Sequence, residues 1–433
     1  MKRILSLVLG LFLILAVFSG CRGRAASAQK IIKLAGTLDA SIDEANRANF
    51  QWIESAIAAF EAENPGYKVE YEAYKYDQID TKLMTDFQAG IERGVSMVSD
   101  SQLVEHYKAG DLMDLTPYFN AWPRADQDDF LWLSNLDAFR DNGKLYALPL
   151  EMHVRTIAYR KDLFAEAGIT KLPETLDELV DAAKRLTRNG VYGLGIYLGN
   201  ERATNEVSFS PYLWLNNGEL FDDVSKRAIF ASDAGIRAVQ FLSDLVNVHK
   251  VTPEYMVSGG YNDILTGFVN GEFAMIDGFG NYWFNGLQQE GLATGLNPPS
   301  ASANSEKVGL LIAPANSSRY VNYWTFGISE SCKEKEAAAK LLYLLLKEEH
   351  LEKYVGGLPP RQSMLNKPAY QTPLYRTMAE AAALGRQMPA TPNYMHLADA
   401  VAAAVQEIVM TKGDAGAILA RYQNEYNNRY GGE

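Results

Sequence analysis

Glu151, His153 and Arg155 alternate along the stretch DNGKLYALPLEMHVRTIAYRKDLFAEA, which runs from Asp141 to Ala167. In an extended strand this spacing puts all three side chains on one face, while Leu148, Leu150, Met152 and Val154 form the apolar opposite face. A carboxylate, an imidazole and a guanidinium together offer charge-assisted hydrogen bonds to hydroxyl groups, and a guanidinium also fits a carboxylate in bidentate fashion. Such a strand is either an ordinary solvent-facing edge or the place where a packed core meets a functional surface. Arg155 accordingly either faces an acidic ligand or is neutralised by Glu151 or a neighbouring carboxylate.

Other candidates are scattered. Asp100 follows a short apolar strand, Val95 to Val98, and precedes a helix through Leu103 and Tyr107. It is either the cap of that helix or a ligand group at the carboxyl end of a strand. Asn217, Asp277, Asn281 and Arg361 complete the polar set. Tyr212 and Trp214 in SPYLWLNNG, Phe279, Tyr282 and Trp324 are either core residues or flat platforms of the kind a sugar ring packs on. Glycoside hydrolysis needs two carboxylates at a fixed separation, and only the residue types of Glu151 and Asp277 suggest such a pair. The chain has no G-x-S-x-G, P-loop or H-E-x-x-H motif, and its five histidines show no metal-ligand spacing. No catalytic residue, metal or cofactor is expected.

The elements that must position these residues follow a strand, helix, strand, helix order. Strands are expected at Ile31 to Leu38 and Lys68 to Tyr74, with a helix from Asn49 to Glu63 between them. The stretch Leu145 to Tyr159 reads as one long strand. A capping box at Thr175 and Glu178 starts a further helix, and helices close the chain at Lys335 to Glu348, Met395 to Thr411 and Asp414 to Arg429. This is the pattern of an α/β protein with mainly parallel sheets. The loop Gly291 to Lys307, rich in Gly, Pro, Ser and Ala, reads as a linker.

At 433 residues the chain is long enough for two or three cores, and 53 acidic against 41 basic residues give a net charge of −12. With no basic stripe to oppose that charge, nucleic acid is not an expected partner. The opening MKRILSLVLGLFLILAVFSGC has a basic start, an apolar run from Ile4 to Phe18 and a small pair before Cys21, which reads as an export signal. Ser19-Gly20-Cys21 resembles a bacterial lipobox, in which the cysteine carries lipid; Phe18 stands where such signals usually have Leu, Val or Ile. Residues 1–20 are then the signal peptide and 21–30 a lipidated tether. Only Cys21 and Cys332 are present, so no disulfide framework is expected.

Seven phrases in order resemble the extracellular solute-binding proteins of bacterial ABC importers, in the sugar-binding branch that includes maltose-binding protein. They are WIESAIAAFEAENPGYKVE from Trp52, GDLMDLTPY from Gly110, GKLYALPLE with AYRKDLFAEAG between Gly143 and Gly168, LPETLDELVDAAKRLT from Leu172, FVNGEFAMIDG from Phe268, WTFGIS from Trp324 and GGLPPR from Gly356. The chain departs from the family pattern at Gly90-Ile-Glu-Arg-Gly-Val, which lacks Pro-Asp, at Tyr159-Arg160, and at Gly278-Phe279-Gly280-Asn281-Tyr282-Trp283. The resemblance implies the type II two-lobe periplasmic-binding-protein fold, with the ligand in a cleft between α/β lobes. It divides the chain into an N-terminal lobe, 31–153 with 308–328, and a C-terminal lobe, 154–307 with 329–433. The ligand set becomes Asp100, Glu151, His153, Arg155, Tyr212, Trp214, Asp277, Phe279, Asn281, Tyr282, Trp324 and Arg361, and the partners a sugar and ABC permease subunits. A monomer is implied, touching the membrane only through its lipid anchor and facing the periplasm or cell exterior.

Overall fold

The computed structural model describes residues 29–432, apart from 40, 42, 43, 76, 77, 131–138, 297, 298, 315, 316 and 355. Cys21, the expected lipidation position, and nearly all of the expected tether lie outside the described residues. Nine strands organise the molecule: β1 Lys30–Gly36, β2 Tyr67–Ala73, β3 Val95–Ser99, β4 Leu148–Val154, β5 Thr156–Arg160, β6 Met275–Phe279, β7 Val308–Leu311, β8 Arg319–Ile328 and β9 Gly385–Arg386. Smaller hairpins lie at the periphery.

Two sheets result. The first has the order β9, β8, β3, β1, β2, with β4 also paired to β8, and its β1, β2 and β3 are parallel. The second has the order β6, β5, β7, all antiparallel. The helix Glu44–Glu63 covers the first sheet because Trp52, Ile53, Ala56 and Phe60 recur at helical spacing and are buried. Truncating a buried Phe60 to alanine costs about 3–5 kcal/mol at such a site. Around the second sheet, the helix Leu176–Leu186 begins with the expected capping box, in which Glu178 N donates to Thr175 Oγ1 at 3.1 Å. The helices Tyr394–Thr411 and Ala415–Tyr430 complete this lobe, the second capped by Asp414. Among the described residues no helix is long and apolar enough to cross a membrane.

The stretch expected as one strand is two. β4 belongs to the first sheet and β5 to the second, and the chain changes sheets at Arg155, whose N–H is bonded to Tyr320 O at 3.1 Å. Every residue of β4 is buried, so the face carrying Glu151 and His153 is no wet edge. Asn281, Tyr354 and the backbone at Gly357 lie against it.

The lobe boundaries also move. Val308–Leu311 pairs with β5 and so belongs with the C-terminal lobe. The segment after Ile328 stays with the N-terminal lobe: Glu334 accepts from Lys30 and Tyr67, Tyr343 donates to Asp126, and Ser363 is bonded to Asp129. From Pro368 onward the chain also packs on the C-terminal lobe, and it enters that lobe fully with the helix Tyr394–Thr411, whose Tyr394 is bonded to Glu206. The expected linker contains an antiparallel pair, Thr294–Leu296 with Pro299–Asn304, docked through a hydrogen bond from Tyr375 to Leu296 O at 2.9 Å. Small residues there allow close strand approach.

Candidate ligand cleft

Asp100 stands where β3 ends and the helix Asp100–Ala109 begins. Beneath it, Ser99 donates from its backbone and hydroxyl to Asp80 at 3.2 and 2.9 Å, and His106 Nδ1 lies 2.7 Å from Asp111. This buried support fixes the turn. Asp100 Oδ2 accepts from Gln387 Nε2 at 3.1 Å, and Tyr323 donates to it from the backbone. Although an edge of Asp100 reaches the surface, burial pushes its carboxyl up to about 7, and the Glu206 carboxylate adds to the rise.

Glu206 comes from the other lobe, on a π-helical turn, Thr204–Phe209, that runs into the helix Ser210–Leu215. Such turns are rare and cluster at functional sites. This one buries a run of polar residues, some satisfied internally, as when Thr204 Oγ1 donates to Gly199 O at 2.6 Å, while Ser208 Oγ is buried with no hydrogen-bond partner among the described residues. Glu206 Oε1 accepts from Tyr394 at 2.7 Å and lies 3.3 Å from Arg202 Nε. Arg155 holds its guanidinium 5.4 Å from the centre of the Tyr320 ring. Burial drives the Tyr320 phenol well above its ordinary range, with Glu206 and Asp100 adding to the effect. Two carboxylates, two guanidiniums and three tyrosines, Tyr320, Tyr323 and Tyr394, thus gather where the lobes meet, a set suited to polar hydroxyl groups.

Glu151 and His153 form a second group behind it. Glu151 Oε1 is 3.0 Å from His153 Nε2, and its other oxygen accepts from Gly357 N. His153 Nδ1 faces Asn281 Oδ1 at 3.2 Å, while Asn281 Nδ2 donates to Gly356 O at 3.0 Å. Burial alone would raise the Glu151 carboxyl, but His153, Tyr354 and the Gly357 N–H outweigh it and hold it below the usual range.

Asp277 closes a third group. It accepts from Tyr212 at 2.7 Å, from Arg319 Nη1 at 3.1 Å and from Gly278 N at 2.8 Å. With its oxygens occupied inside the protein, it ties β6 to the start of β8.

A family model described as bacterial extracellular solute-binding protein matches residues 44–351. The chain belongs to this family. A Brucella abortus (strain 2308) protein, named only as a binding protein, is 27% identical over 412 residues, covering 90% of this chain and 93% of the relative. Two solved structures share the fold. An ABC transporter solute-binding protein from Thermotoga lettingae with bound α-D-tagatose superposes with a TM-score of 0.75 at 23% identity, covering 93% of this chain and 99% of the other. A maltose-bound protein from T. maritima gives 0.73 at 22% identity, covering 92% and 99%.

In this solute-binding protein the expected ligand residues divide. Asp100 and Arg155 reach the junction of the lobes. Glu151, His153 and Asn281 lie behind it, and Tyr212 and Asp277 bond to each other. Trp214 is buried under the Arg386 guanidinium, 4.8 Å above its ring. Phe279 is wholly enclosed, 5.6 Å from Trp283, and Trp324 lies in mid-sheet between Ser99 and Glu151. Tyr282 is in the turn Asn281–Trp283, its side chain outside the described set, and Asn217 adopts a left-handed turn with φ of 58°. Arg361 is engaged within the protein: it donates to Leu346 O at 2.8 Å and pairs with Asp126 and Asp129 at 2.8 and 3.2 Å. Sequence reasoning missed Arg202, Glu206, Tyr320, Gln387 and Tyr394. Nothing local in ERATNEVSF marks it as a buried turn; only its lack of a helical or strand period was visible.

Proposed function

We propose that this chain is the substrate-binding component of an ABC importer, held to the membrane by lipid on Cys21, outside the cytoplasm. It captures a mono- or oligosaccharide between its lobes and passes it to permease subunits. The observation that carries this reading is the meeting of Asp100 from one lobe with Arg202 and Glu206 from the other. Carboxylates and guanidiniums give charge-assisted hydrogen bonds to hydroxyls, and the neighbouring tyrosines supply apolar ring faces. Ligand contacting both lobes favours the closed form by its differential affinity, and closure then presents one shape to the permease. The sugars bound by the two related structures, tagatose and maltose, support the substrate class.

Isothermal titration against sugars, polyols, uronates and amino acids tests it. A saccharide or polyol should bind with a heat that disappears in Glu206→Ala. Binding of an amino acid or peptide with no response to any sugar would end the saccharide reading.

A further inference from the structure

The strand β9 pairs in parallel with the start of β8, Arg319 opposite Gly385 and Tyr320 opposite Arg386. Gln387 follows directly, and two consecutive side chains then go to opposite lobes. Arg386 reaches the C-terminal lobe: its Nη2 is 2.8 Å from Glu219 Oε2, and its guanidinium lies 4.8 Å above the Trp214 ring. Gln387 reaches the N-terminal lobe, donating to Asp100 at 3.1 Å. Gly385 lets the segment lie this close, since a Cβ there would fall 2.4 Å from Val321 Cγ1. The exposed ion pair to Glu219 contributes little by itself. The cation–π contact on a buried indole is the firmer hold, and lysine is a poor substitute for a guanidinium there.

We propose that Arg386 and Gln387 are affinity-determining residues that latch the two lobes together, Arg386 acting without touching ligand. A binder whose ligand contacts both lobes has an apparent affinity scaled by the fraction of molecules in the closed arrangement. Holding the strap to both lobes raises that fraction before any ligand arrives. The effect on affinity rests on the saccharide cleft proposed above; the effect on closure does not.

Small-angle X-ray scattering of the ligand-free chain separates the two. Arg386→Ala and Gln387→Ala should each increase the radius of gyration, while the melting temperature stays within about 2 °C. With a sugar that binds the unaltered protein, Kd should rise about fivefold or more, and Arg386→Lys should recover only part of the loss. Should either alanine variant fail to fold, Arg386→Gln, at a half-exposed position, takes the guanidinium off the Trp214 ring and shifts the radius in the same direction. An unchanged radius in all variants overturns the latch, whatever the titrations show. A radius that responds while no sugar binds the unaltered protein supports the latch and removes the saccharide reading instead.

Discussion

Glu151 and His153, two residues apart on β4, are joined at 3.0 Å and turned toward the Gly356–Gly357 backbone, not toward open water. Glu151→Gln keeps the shape and removes the charge from a buried pair, a change that costs about 3–5 kcal/mol when one partner is left behind. A clear fall in melting temperature is expected. Because the folded-state carboxyl is held below its usual range, the stabilisation is present at neutral pH and is lost as pH falls through that lowered value. A variant that melts like the parent but binds ligand poorly would return Glu151 to the cleft.

Asp100 has the opposite sign. Its carboxyl titrates at about 7 in the folded chain against about 3.9 in an unfolded one. The folded state therefore binds the extra proton, and this group's contribution is greatest below pH 4 and erodes as pH rises to about 7. Urea denaturation of Asp100→Asn between pH 4 and 8 should show stability gained relative to the parent, the gain growing up to pH 7 and then levelling. Ligand affinity at pH 7 should fall at least about tenfold, the weight of one hydrogen bond to a charged group. A stability difference that is the same at every pH would contradict the assignment.

Tyr212 donates to Asp277 deep in the C-terminal lobe, and burial raises its phenol well above the ordinary range. Tyr212→Phe leaves one carboxylate oxygen short of a donor, at about 1–3 kcal/mol. Thermal melts should register this, while Kd for a sugar remains within about twofold by the same reasoning. Weakened binding at an unchanged melting temperature would mean the tyrosine meets ligand.

Gly357 has no room for a side chain, since a Cβ would come within 2.4 Å of Met152 O and 2.9 Å of Glu151 Oε2. Gly357→Ala should destabilise by about 1–3 kcal/mol through overpacking, visible as a lowered denaturation midpoint. A neutral result would show that the turn yields without strain.

Element order was legible because amphipathic periods are local: Phe50, Ile53, Ile57 and Phe60 announce a helix face wherever the helix goes, although the fully buried line is Trp52, Ile53, Ala56 and Phe60, with Phe50 and Ile57 at its margin. The break at Arg155 was not, because the alternation continues through Val154 while the hydrogen-bond partners change from one sheet to another. The same limit explains the site. Glu151 looks wet in sequence, yet its partner Gly357 lies 206 residues away. Arg361 looks available until Asp126 and Asp129 are brought to it. Side-chain type announces what a residue can bond to, whereas only the fold announces whether a protein partner already holds that bond.

The passage from β4 to β5 through the single residue Arg155 leaves no slack between the sheets. The lobes can therefore turn about that point but cannot slide apart there. With the β7 to β8 connection as a second attachment, the line through the two becomes a natural axle. Small torsions at the axle become large displacements at the far rim, so the residues that govern the sweep need not be the ones that meet the cargo.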